Sequence, residues 1–226
     1  MCGRYTLTKI DPATLKTRFG IDGRLDFDER PRFNIAPTDR VLAIRTGAEG
    51  RREAGTLRWG LLPGSWAQDN GRALINARAE TIESQPAYRE SFLQRRCLIP
   101  ADGFYEWRQD ETGRQPVWIS REDEEPFAFA GIWAALPDFD GDAVHSCSIV
   151  TCEPNELVRP IHDRMPVILD RDAEGSWISP DGDPATLRGL LRAIDPDALS
   201  VRDVSEAVND VRQDGPHLLA PPLKLF

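Results

Sequence analysis

The second residue of the chain is a cysteine, in the opening Met1-Cys2-Gly3-Arg4-Tyr5. Because this residue is small, we expect Met1 to be removed, which leaves Cys2 with an α-amine of pKa about 8 and a thiol of pKa about 8.5. Towards an ester or amide, Cys2 would act as an acyl-transfer thiolate. Towards an aldehyde, its amine forms an imine and its thiol then closes a five-membered thiazolidine ring. The alternative is that Cys2 is an incidental small residue at a frayed terminus.

Alternating polar side chains follow an apolar pair in the segment Leu74-Ile75-Asn76-Ala77-Arg78-Ala79-Glu80. If this segment is extended, Asn76, Arg78 and Glu80 share one face, because side chains alternate between the two faces of a strand. These residues could then bind a ligand together. The alternative interpretation is an ordinary solvated strand face.

Glu106 lies between two large aromatic residues in the segment Pro100-Ala101-Asp102-Gly103-Phe104-Tyr105-Glu106-Trp107. A carboxyl group removed from water has a raised pKa and can transfer protons near neutral pH. Alternation along a strand equally allows the opposite arrangement, in which Tyr105 and Trp107 point into the protein and Glu106 points to solvent. Both arrangements stay open at this point.

His162, in Pro160-Ile161-His162-Asp163-Arg164-Met165-Pro166, is the most informative of the three histidines. It lies between a predicted helix and a predicted strand, where it could be a general acid or a hydrogen-bond anchor. A purely structural histidine is the alternative. His145 and His217 lie in segments typical of surface turns.

The elements that position these residues follow from hydrophobic periodicity and turn signals. A short strand over 3–7 would tie the amino terminus into a sheet, and Asp11 caps a helix that begins at Pro12 and ends at Phe19. Further strands are predicted at 41–45, 56–61, 96–100, 104–108, 116–120, 127–132, 146–151, 167–169 and 199–204. Further helices are predicted at 88–93, 153–159, 173–177 and 184–193. This order predicts an α+β protein with one domain over residues 1–226.

Composition excludes several classes of protein. The 226 residues are 40% hydrophobic, enough for a core without disulfides, and no stretch approaches the roughly 20 apolar residues of a membrane span. No signal peptide is recognisable, so we expect a cytoplasmic protein. The four cysteines form no CxxC pair, so neither a metal nor another cofactor is predicted. Cys97, Cys147 and Cys152 lie in apolar runs and are expected to be buried and inert.

The formal net charge of −9 argues against a general binder of polyanions, because nonspecific nucleic-acid affinity comes from basic side chains that neutralise phosphates. Any nucleic-acid site must therefore be local. All but three of the 28 basic residues are arginines, beside 37 acidic residues. This balance favours a salt-loving source.

Six segments together resemble the SOS-response-associated peptidase family, also called abasic-site processing proteins. They are Cys2-Gly3-Arg4, Asn34-Ile35-Ala36-Pro37, Trp59-Gly60-Leu61, Ile75-Asn76-Ala77-Arg78, Ala101-Asp102-Gly103-Phe104-Tyr105-Glu106-Trp107 and Ile161-His162-Asp163-Arg164-Met165-Pro166. Their order and spacing match the family over nearly the whole chain. The resemblance implies that family's fold, a mostly antiparallel β core of open, barrel-like sheets with flanking helices.

The resemblance also implies a reaction, in which Cys2 captures an abasic site in single-stranded DNA as a thiazolidine crosslink. Asn76 then positions the terminus and the sugar, Glu106 assists proton transfers, and His162 lies beside the ring oxygen and phosphate. Removal of Met1, by the chain itself or otherwise, would account for the word peptidase in the family name. The implied partner is DNA with abasic sites, with no cofactor, metal or membrane, and we expect a monomer.

The DNA contacts implied by the resemblance are of two kinds. Arg4, Arg78 and Arg164 lie near phosphates, whose oxygens the arginine fork can bind in a bidentate way. Pro37 and Trp66 stack on or wedge against the bases that flank the lesion. Position 65 departs from the family pattern, since Ser65 stands where bacterial members have a second aromatic residue, and the stacking geometry stays open.

Three other functions are compatible with part of this pattern. An N-terminal-nucleophile amidohydrolase would also expose Cys2, but it needs an oxyanion-hole pair, and Asn70-Gly71 has no clear set of partners. A thiol protease could use Cys2, His162 and Asn76. A noncatalytic single-strand binder would use Trp66 and the arginines, and it would lose nothing on replacement of Cys2 by alanine.

Overall fold

The computed structural model describes residues 3–23, 25, 27–62, 73–111, 113–137 and 143–222. Within these residues, two β-sheets, four α-helices and four short 3-10 helices form the regular structure. Six residues singled out above lie outside these ranges: Met1, Cys2, Ser65, Trp66, Asn70 and Gly71.

The smaller sheet, sheet A, has five strands in the order β13-β8-β7-β1-β2. Their bounds are β1 (Tyr5–Leu7), β2 (Arg32–Ile35), β7 (Gly103–Asp110), β8 (Gly113–Arg121) and β13 (Leu199–Asp203). All of these pairings are antiparallel, and β1 lies between β2 and β7. The strand that begins three residues after Cys2 is therefore an inner strand of the sheet, with a neighbour on each side.

The larger sheet, sheet B, has eight strands in the path β11-β10-β4-β3-β6-β9-β12, with β5 beside β10. Their bounds are β3 (Arg40–Thr46), β4 (Arg52–Trp59), β5 (Asn76–Arg78), β6 (Arg96–Ala101), β9 (Phe127–Pro137), β10 (Ala143–Cys152), β11 (Met165–Pro166) and β12 (Ile168–Leu169). Since β9 also pairs with β10, the strands β10, β4, β3, β6 and β9 form a closed ring. Only the pairings of β10 with β4 and β5 are parallel, so the predicted mostly antiparallel, barrel-like core is confirmed.

Aromatic side chains join the two sheets in one core. Tyr5 of sheet A has edge-to-face contacts with Trp59 and Phe129 of sheet B, at centroid distances of 5.4 and 5.6 Å. Phe104, beside Tyr5, lies 6.1 Å from Phe129. Such pairs add about 0.5–1.5 kcal/mol each beyond the area they bury. The strand that follows Cys2 is therefore anchored at the centre of the molecule.

A second, smaller cluster covers the outer face of sheet A. Tyr105 and Trp118 pack there against Val204, Val208 and Leu218. The last three residues belong to the segment 204–222 that follows β13, which we call the C-terminal arm. Both faces of β7 are therefore covered by protein.

The helices are α1 (Pro12–Phe19), α2 (Pro86–Gln94), α3 (Arg171–Ile178) and α4 (Pro184–Gly189). The predicted start of α1 is confirmed, since Asp11 Oδ2 accepts the Thr14 N–H at 2.7 Å. Leu15 and Phe19 are the residues of this helix that pack in the core. No helix among the described residues has the length and apolar character needed to cross a membrane.

Two predictions about helices are wrong, and one strand was not predicted. Residues 153–159 form turns rather than a helix, because the buried Asn155 side chain binds the Val158 N–H and the Ile194 carbonyl, and prolines lie at 154 and 160. The helix predicted over 184–193 ends at Gly189. Strand β2, whose four residues are flanked by Pro31 and Pro37, was not predicted at all.

Candidate functional site

The amino-terminal strand is held by a buried carboxylate, Asp102, which is 3% exposed. Its Oδ1 accepts the Thr6 hydroxyl at 2.5 Å. Its Oδ2 accepts the backbone N–H groups of Thr8 and Lys9 at 2.5 and 2.9 Å, and the Thr8 hydroxyl at 2.7 Å. Because a buried carboxylate needs such donors, these bonds fix where the start of the chain lies against β7.

The next residue, Gly103, leaves room for Trp118. A Cβ atom at position 103 would lie 2.2 Å from the Trp118 ring. The indole in turn donates its Nε1–H to the Thr6 hydroxyl at 3.1 Å. Asp102 therefore positions β1 through its hydrogen bonds. Gly103 positions it by having no side chain, which leaves space for the Trp118 ring that binds Thr6.

Glu106 is buried in β7, with 2% of its surface exposed. The pKa of its carboxyl is raised to about 7. Burial is the largest cause, Asp163 also raises this pKa, and the positive charge of the amino terminus lowers it. The desolvated arrangement is confirmed and the solvent-facing one is wrong. Alternation does hold, since Tyr105 packs in the outer cluster and donates to the Phe33 carbonyl at 2.8 Å, but the C-terminal arm covers that face as well.

Asn76 lies in β5, opposite Ile149 of β10, and its carbonyl accepts the Tyr88 hydroxyl at 2.9 Å. The next residue, Ala77, is fully buried and Arg78 is exposed. This pattern confirms that the segment is extended and that Asn76 and Arg78 share a face. Glu80 is not part of the strand, because the chain turns after Arg78, whose carbonyl accepts the Thr81 N–H at 3.1 Å.

His162 follows the turns that replace the predicted helix, and it is half-buried. Its Nδ1 accepts the Arg164 backbone N–H at 2.9 Å, which leaves the proton of the neutral ring on Nε2. Burial lowers the pKa of His162, and the charge of the amino terminus lowers it further, whereas the Asp163 carboxylate raises it. The ring is therefore neutral at neutral pH and can donate a hydrogen bond from Nε2.

Glu106 and His162 share an electrostatic environment. The charges of Asp163 and of the amino terminus each shift the pKa of both groups. Both groups therefore lie within electrostatic reach of the same two charges, although they are 56 positions apart in the sequence. Arg114 of β8 also lowers the pKa of His162.

The three arginines of the predicted phosphate contacts differ in their surroundings. Arg78 is exposed on the Asn76 face of β5. Arg4 donates from Nη1 to Asn34 Oδ1 and to the Val208 carbonyl, both at 2.8 Å, and burial lowers its pKa. Arg164 binds Glu80 with both terminal nitrogens at 2.9 Å. Arg78 therefore presents its side chain to solvent, whereas Arg4 and Arg164 are already bound to protein oxygens.

Pro37 lies in a tight turn after β2. The turn is closed by a bond of 3.1 Å from the Asp39 N–H to the Ala36 carbonyl, and Thr38 has φ of 81°. A positive φ is strained for a β-branched residue, so this backbone is held by its surroundings. The Thr38 N–H donates to the Trp59 carbonyl at 2.8 Å, which is one such restraint. The ring of Pro37 is therefore presented on a rigid support.

The other cysteines are buried, as predicted. Burial raises the pKa of Cys97 and of Cys152 to about 12, and that of Cys147 well above its ordinary value. Thiols in this state are poor nucleophiles. The described residues contain no group of three or more His, Cys, Asp and Glu side chains that could hold a metal ion.

A family model described as SOS response associated peptidase (SRAP) matches residues 1–211. The chain belongs to the SRAP family. The abasic site processing protein YoqW of Bacillus subtilis is 40% identical over 225 residues, which cover 97% of this chain and 99% of YoqW. YedK of Escherichia coli, also named an abasic site processing protein, is 30% identical over 227 residues, covering 98% and 100%. A crystal structure from Bacteroides thetaiotaomicron has a TM-score of 0.84, 25% identity, and coverage of 98% and 100%.

Two buried polar residues of the SRAP segments, Asn34 and Asp102, received no role from the sequence, yet each attaches another part of the chain. Asn34, 3% exposed, donates to the carbonyls of Asp210 and Gln213 at 3.1 and 2.9 Å and so attaches the C-terminal arm. Asp102 attaches the amino-terminal strand. The sequence does show that each is a polar residue beside an apolar residue or a glycine. It does not show their hydrogen-bond partners, which are distant in the sequence.

Proposed function

We propose that this SRAP chain captures abasic sites in single-stranded DNA as a covalent thiazolidine on Cys2, after removal of Met1. The observation that carries the proposal is Glu106, a buried carboxyl group of pKa about 7 in the strand beside the amino-terminal strand. A group with this pKa can both accept and donate a proton at neutral pH. We further propose that the protein works as a cytoplasmic monomer.

Covalent connectivity supports the pairing of Cys2 with Glu106. The Arg4 carbonyl accepts the Tyr105 N–H at 3.0 Å, and Tyr105 directly precedes Glu106. Two peptide units bring the Cα atom of Cys2 within about 7 Å of that of Arg4. This bound supports a Cys2 whose amine and thiol reach the Glu106 carboxyl group.

The reaction begins with the open-chain form of the abasic sugar, which has an aldehyde at C1. The α-amine adds to this carbon, water leaves to give an imine, and the Cys2 thiolate attacks the imine carbon. One C–N bond and one C–S bond form, and the aldehyde oxygen departs as water with one proton from nitrogen and one from sulfur. Glu106 would accept the amine proton and help to expel the water.

His162 and Asn76 have complementary roles in the proposal. The neutral His162 ring, with its proton on Nε2, would donate a hydrogen bond to the sugar ring oxygen and so stabilise the negative charge that develops there as the sugar ring opens. Asn76, held in β5, would position the sugar and the amino terminus. Protonation of the thiazolidine by Glu106 would allow the ring to reopen, so we expect slow reversal.

DNA would follow the face that bears Arg78. Its exposed guanidinium is suited to a phosphate contact, and Pro37 and Trp66 would pack against the flanking bases. Arg4 and Arg164 would reach a phosphate only with N–H groups that the protein does not already use. Stacking contributes about 1–3 kcal/mol per base and reads no sequence, so we expect capture in any sequence context.

Denaturing gel electrophoresis of the Met1-trimmed protein with a single-stranded oligonucleotide that has one abasic site tests the proposal. We expect a heat-stable shifted band that requires the lesion and is absent with Cys2→Ala. Cys152→Ala, which removes a buried thiol, is the matched control and should still give the band. Absence of the band from trimmed wild-type protein would contradict covalent capture and favour the amidohydrolase or the noncatalytic binder.

A further inference from the structure

Glu80 and Arg164, which bind each other, lie on the two sides of the end of strand β10. Its residue Thr151 pairs with Arg78 of β5 on one side and with Pro166 of β11 on the other. The chain that leaves β5 reaches Glu80, and the chain that enters β11 comes from Arg164. The Glu80–Arg164 bond therefore joins the segment that carries Asn76 to the segment that carries His162.

The Glu80–Arg164 pair is bidentate, which is the strong form of an arginine–carboxylate bond. Nη1 and Nη2 of Arg164 lie 2.9 Å from Oε1 and Oε2 of Glu80, and Nη2 also donates to the Thr151 carbonyl at 2.6 Å. The Arg164 side chain is 11% exposed and the Glu80 side chain is 46% exposed. Burial raises the pKa of the Glu80 carboxyl, but the bonds from Arg164 and from its own backbone bring this pKa below its ordinary value. A bidentate pair whose arginine is shielded holds its partners more firmly than a single contact between two exposed side chains does.

Arg164 in turn determines what His162 can do. The Arg164 backbone N–H points at Nδ1 of His162, at 2.9 Å. Oδ1 of Asp163 also lies 2.9 Å from Nδ1, but a carboxylate can bind there only when Nδ1 carries a proton. The two neighbours thus favour different forms of the ring: Arg164 the neutral form with the proton on Nε2, and Asp163 the protonated form.

We propose that Glu80 is a positioning residue of the site, which holds Arg164 against β10 so that the Arg164 backbone keeps His162 as the neutral Nε2–H tautomer. The inference rests on the proposed function, in which that Nε2–H faces the sugar. Removal of the Glu80 carboxylate takes away two of the hydrogen bonds of the Arg164 side chain and loosens the Arg164 backbone. Asp163 then competes better for Nδ1, and the pKa of His162 rises.

Other charges that act on His162 stay in place when Glu80 is changed. They are Asp163 on the same turn, Arg114 of β8 and the amino terminus. Loss of the Glu80 negative charge would by itself lower the pKa of His162, because a nearby anion favours the protonated ring. A rise in that pKa on replacement of Glu80 therefore reports the position of the Arg164 backbone.

NMR titration of the imidazole resonances tests the proposal without DNA, with Glu80→Gln as the variant and Glu83→Gln as its matched control. Glu83 pairs with Arg188 through one contact of 2.6 Å, and both side chains are exposed. We expect Glu80→Gln to raise the pKa of His162 and to leave those of His145 and His217 unchanged. Glu83→Gln should change none of the three, and Glu80→Asp should restore part of the wild-type value.

The crosslinking rate provides the second measurement. We expect Glu80→Gln to lower it about tenfold at neutral pH, because a displaced His162 ring no longer aims its Nε2–H hydrogen bond at the sugar. Affinity for undamaged single-stranded DNA should stay within about twofold of wild type. Loss of thermal stability with an unchanged pKa of His162 would overturn the proposal, and so would tighter DNA binding with faster crosslinking, which would make Glu80 a competitor of phosphate. If the wild-type protein forms no crosslink, the proposed function fails, and the titration still decides the role of Glu80.

Discussion

Burial of Glu106 raises the pKa of its carboxyl and lowers the stability of the fold above neutral pH. The carboxyl has an ordinary pKa of 4.5 and a folded-state pKa of about 7. Between these values the folded protein holds a proton that the unfolded chain releases. The contribution of this proton to stability is therefore present at acid pH and is lost as the pH rises through about 7.

Glu106→Gln should separate stability from function, because glutamine fills the same space without ionising. A shift from 4.5 to about 7 corresponds to about 3 kcal/mol, so at pH 8 we expect the variant to have a higher free energy of unfolding by about 3 kcal/mol, and at pH 5 by less than about 1 kcal/mol. Its crosslinking rate should fall about 10²-fold. Urea denaturation at both pH values checks the first result, with the exposed Glu122→Gln as control. Equal effects at pH 5 and pH 8 would show that Glu106 is not held protonated.

The sequence alone left Glu106 with two equally allowed orientations. Alternation in β7 requires Tyr105 and Glu106 to face opposite sides, and the local pattern does not say which side is covered. The answer depends on the C-terminal arm, which covers the Tyr105 side and is attached through Asn34. His162 was recognised from its place in the motif, whereas its tautomer depends on Arg164 and so on distant Glu80.

At the scale of elements, the site depends on how firmly β1 is fixed beside β7. Gly103→Ala should be severe, because the new Cβ would lie 2.2 Å from the Trp118 ring and would disturb the bond from that ring to Thr6. We expect a loss of about 3 kcal/mol in the free energy of unfolding, as for other overpacked cores. Gly55→Ala, in β4 with open space around it, should change that energy by less than about 1 kcal/mol. Similar values for the two variants, measured by chemical denaturation, would contradict this account of β1.

Elements with strong local signals were predicted well, and those set by distant contacts were not. The start of α1 is encoded by the adjacent residues Asp11 and Pro12, and it was predicted correctly. The segment 153–159 has an apolar spacing that suits a helix, but Asn155 binds the distant Ile194 carbonyl instead. The ring is completed by the pairings of β10 with β4 and of β3 with β6, and no local pattern reveals these pairings because the strands are far apart in the sequence.

At the scale of the whole molecule, a protein of net charge −9 is proposed to bind DNA. Noncovalent affinity should therefore depend on few basic contacts and be weak at high salt, where the screening length is about 3 Å at 1 M. A covalent bond is not screened. We expect binding of undamaged single-stranded DNA to weaken with salt, with a slope of log affinity against log salt of about −0.7 per phosphate contact. The final yield of crosslink should stay nearly constant.

Fluorescence anisotropy and gel yields across a salt series check this expectation. Arg78→Ala should reduce the slope by about 0.7 if Arg78 contacts one phosphate. Arg188→Ala, an exposed arginine already paired with Glu83, should leave the slope unchanged. A crosslink yield that falls in parallel with affinity would show that charge, rather than chemistry and stacking, limits capture.

The most direct test of the central claim is the intact mass of the purified protein–oligonucleotide adduct, with and without borohydride treatment. The proposed thiazolidine predicts the summed masses of Met1-trimmed protein and abasic oligonucleotide less one water, unchanged by borohydride because no imine persists. The modified peptide should begin at Cys2. An adduct that gains hydrogen on borohydride treatment, retains the water or forms equally well with Cys2→Ala would contradict thiazolidine capture.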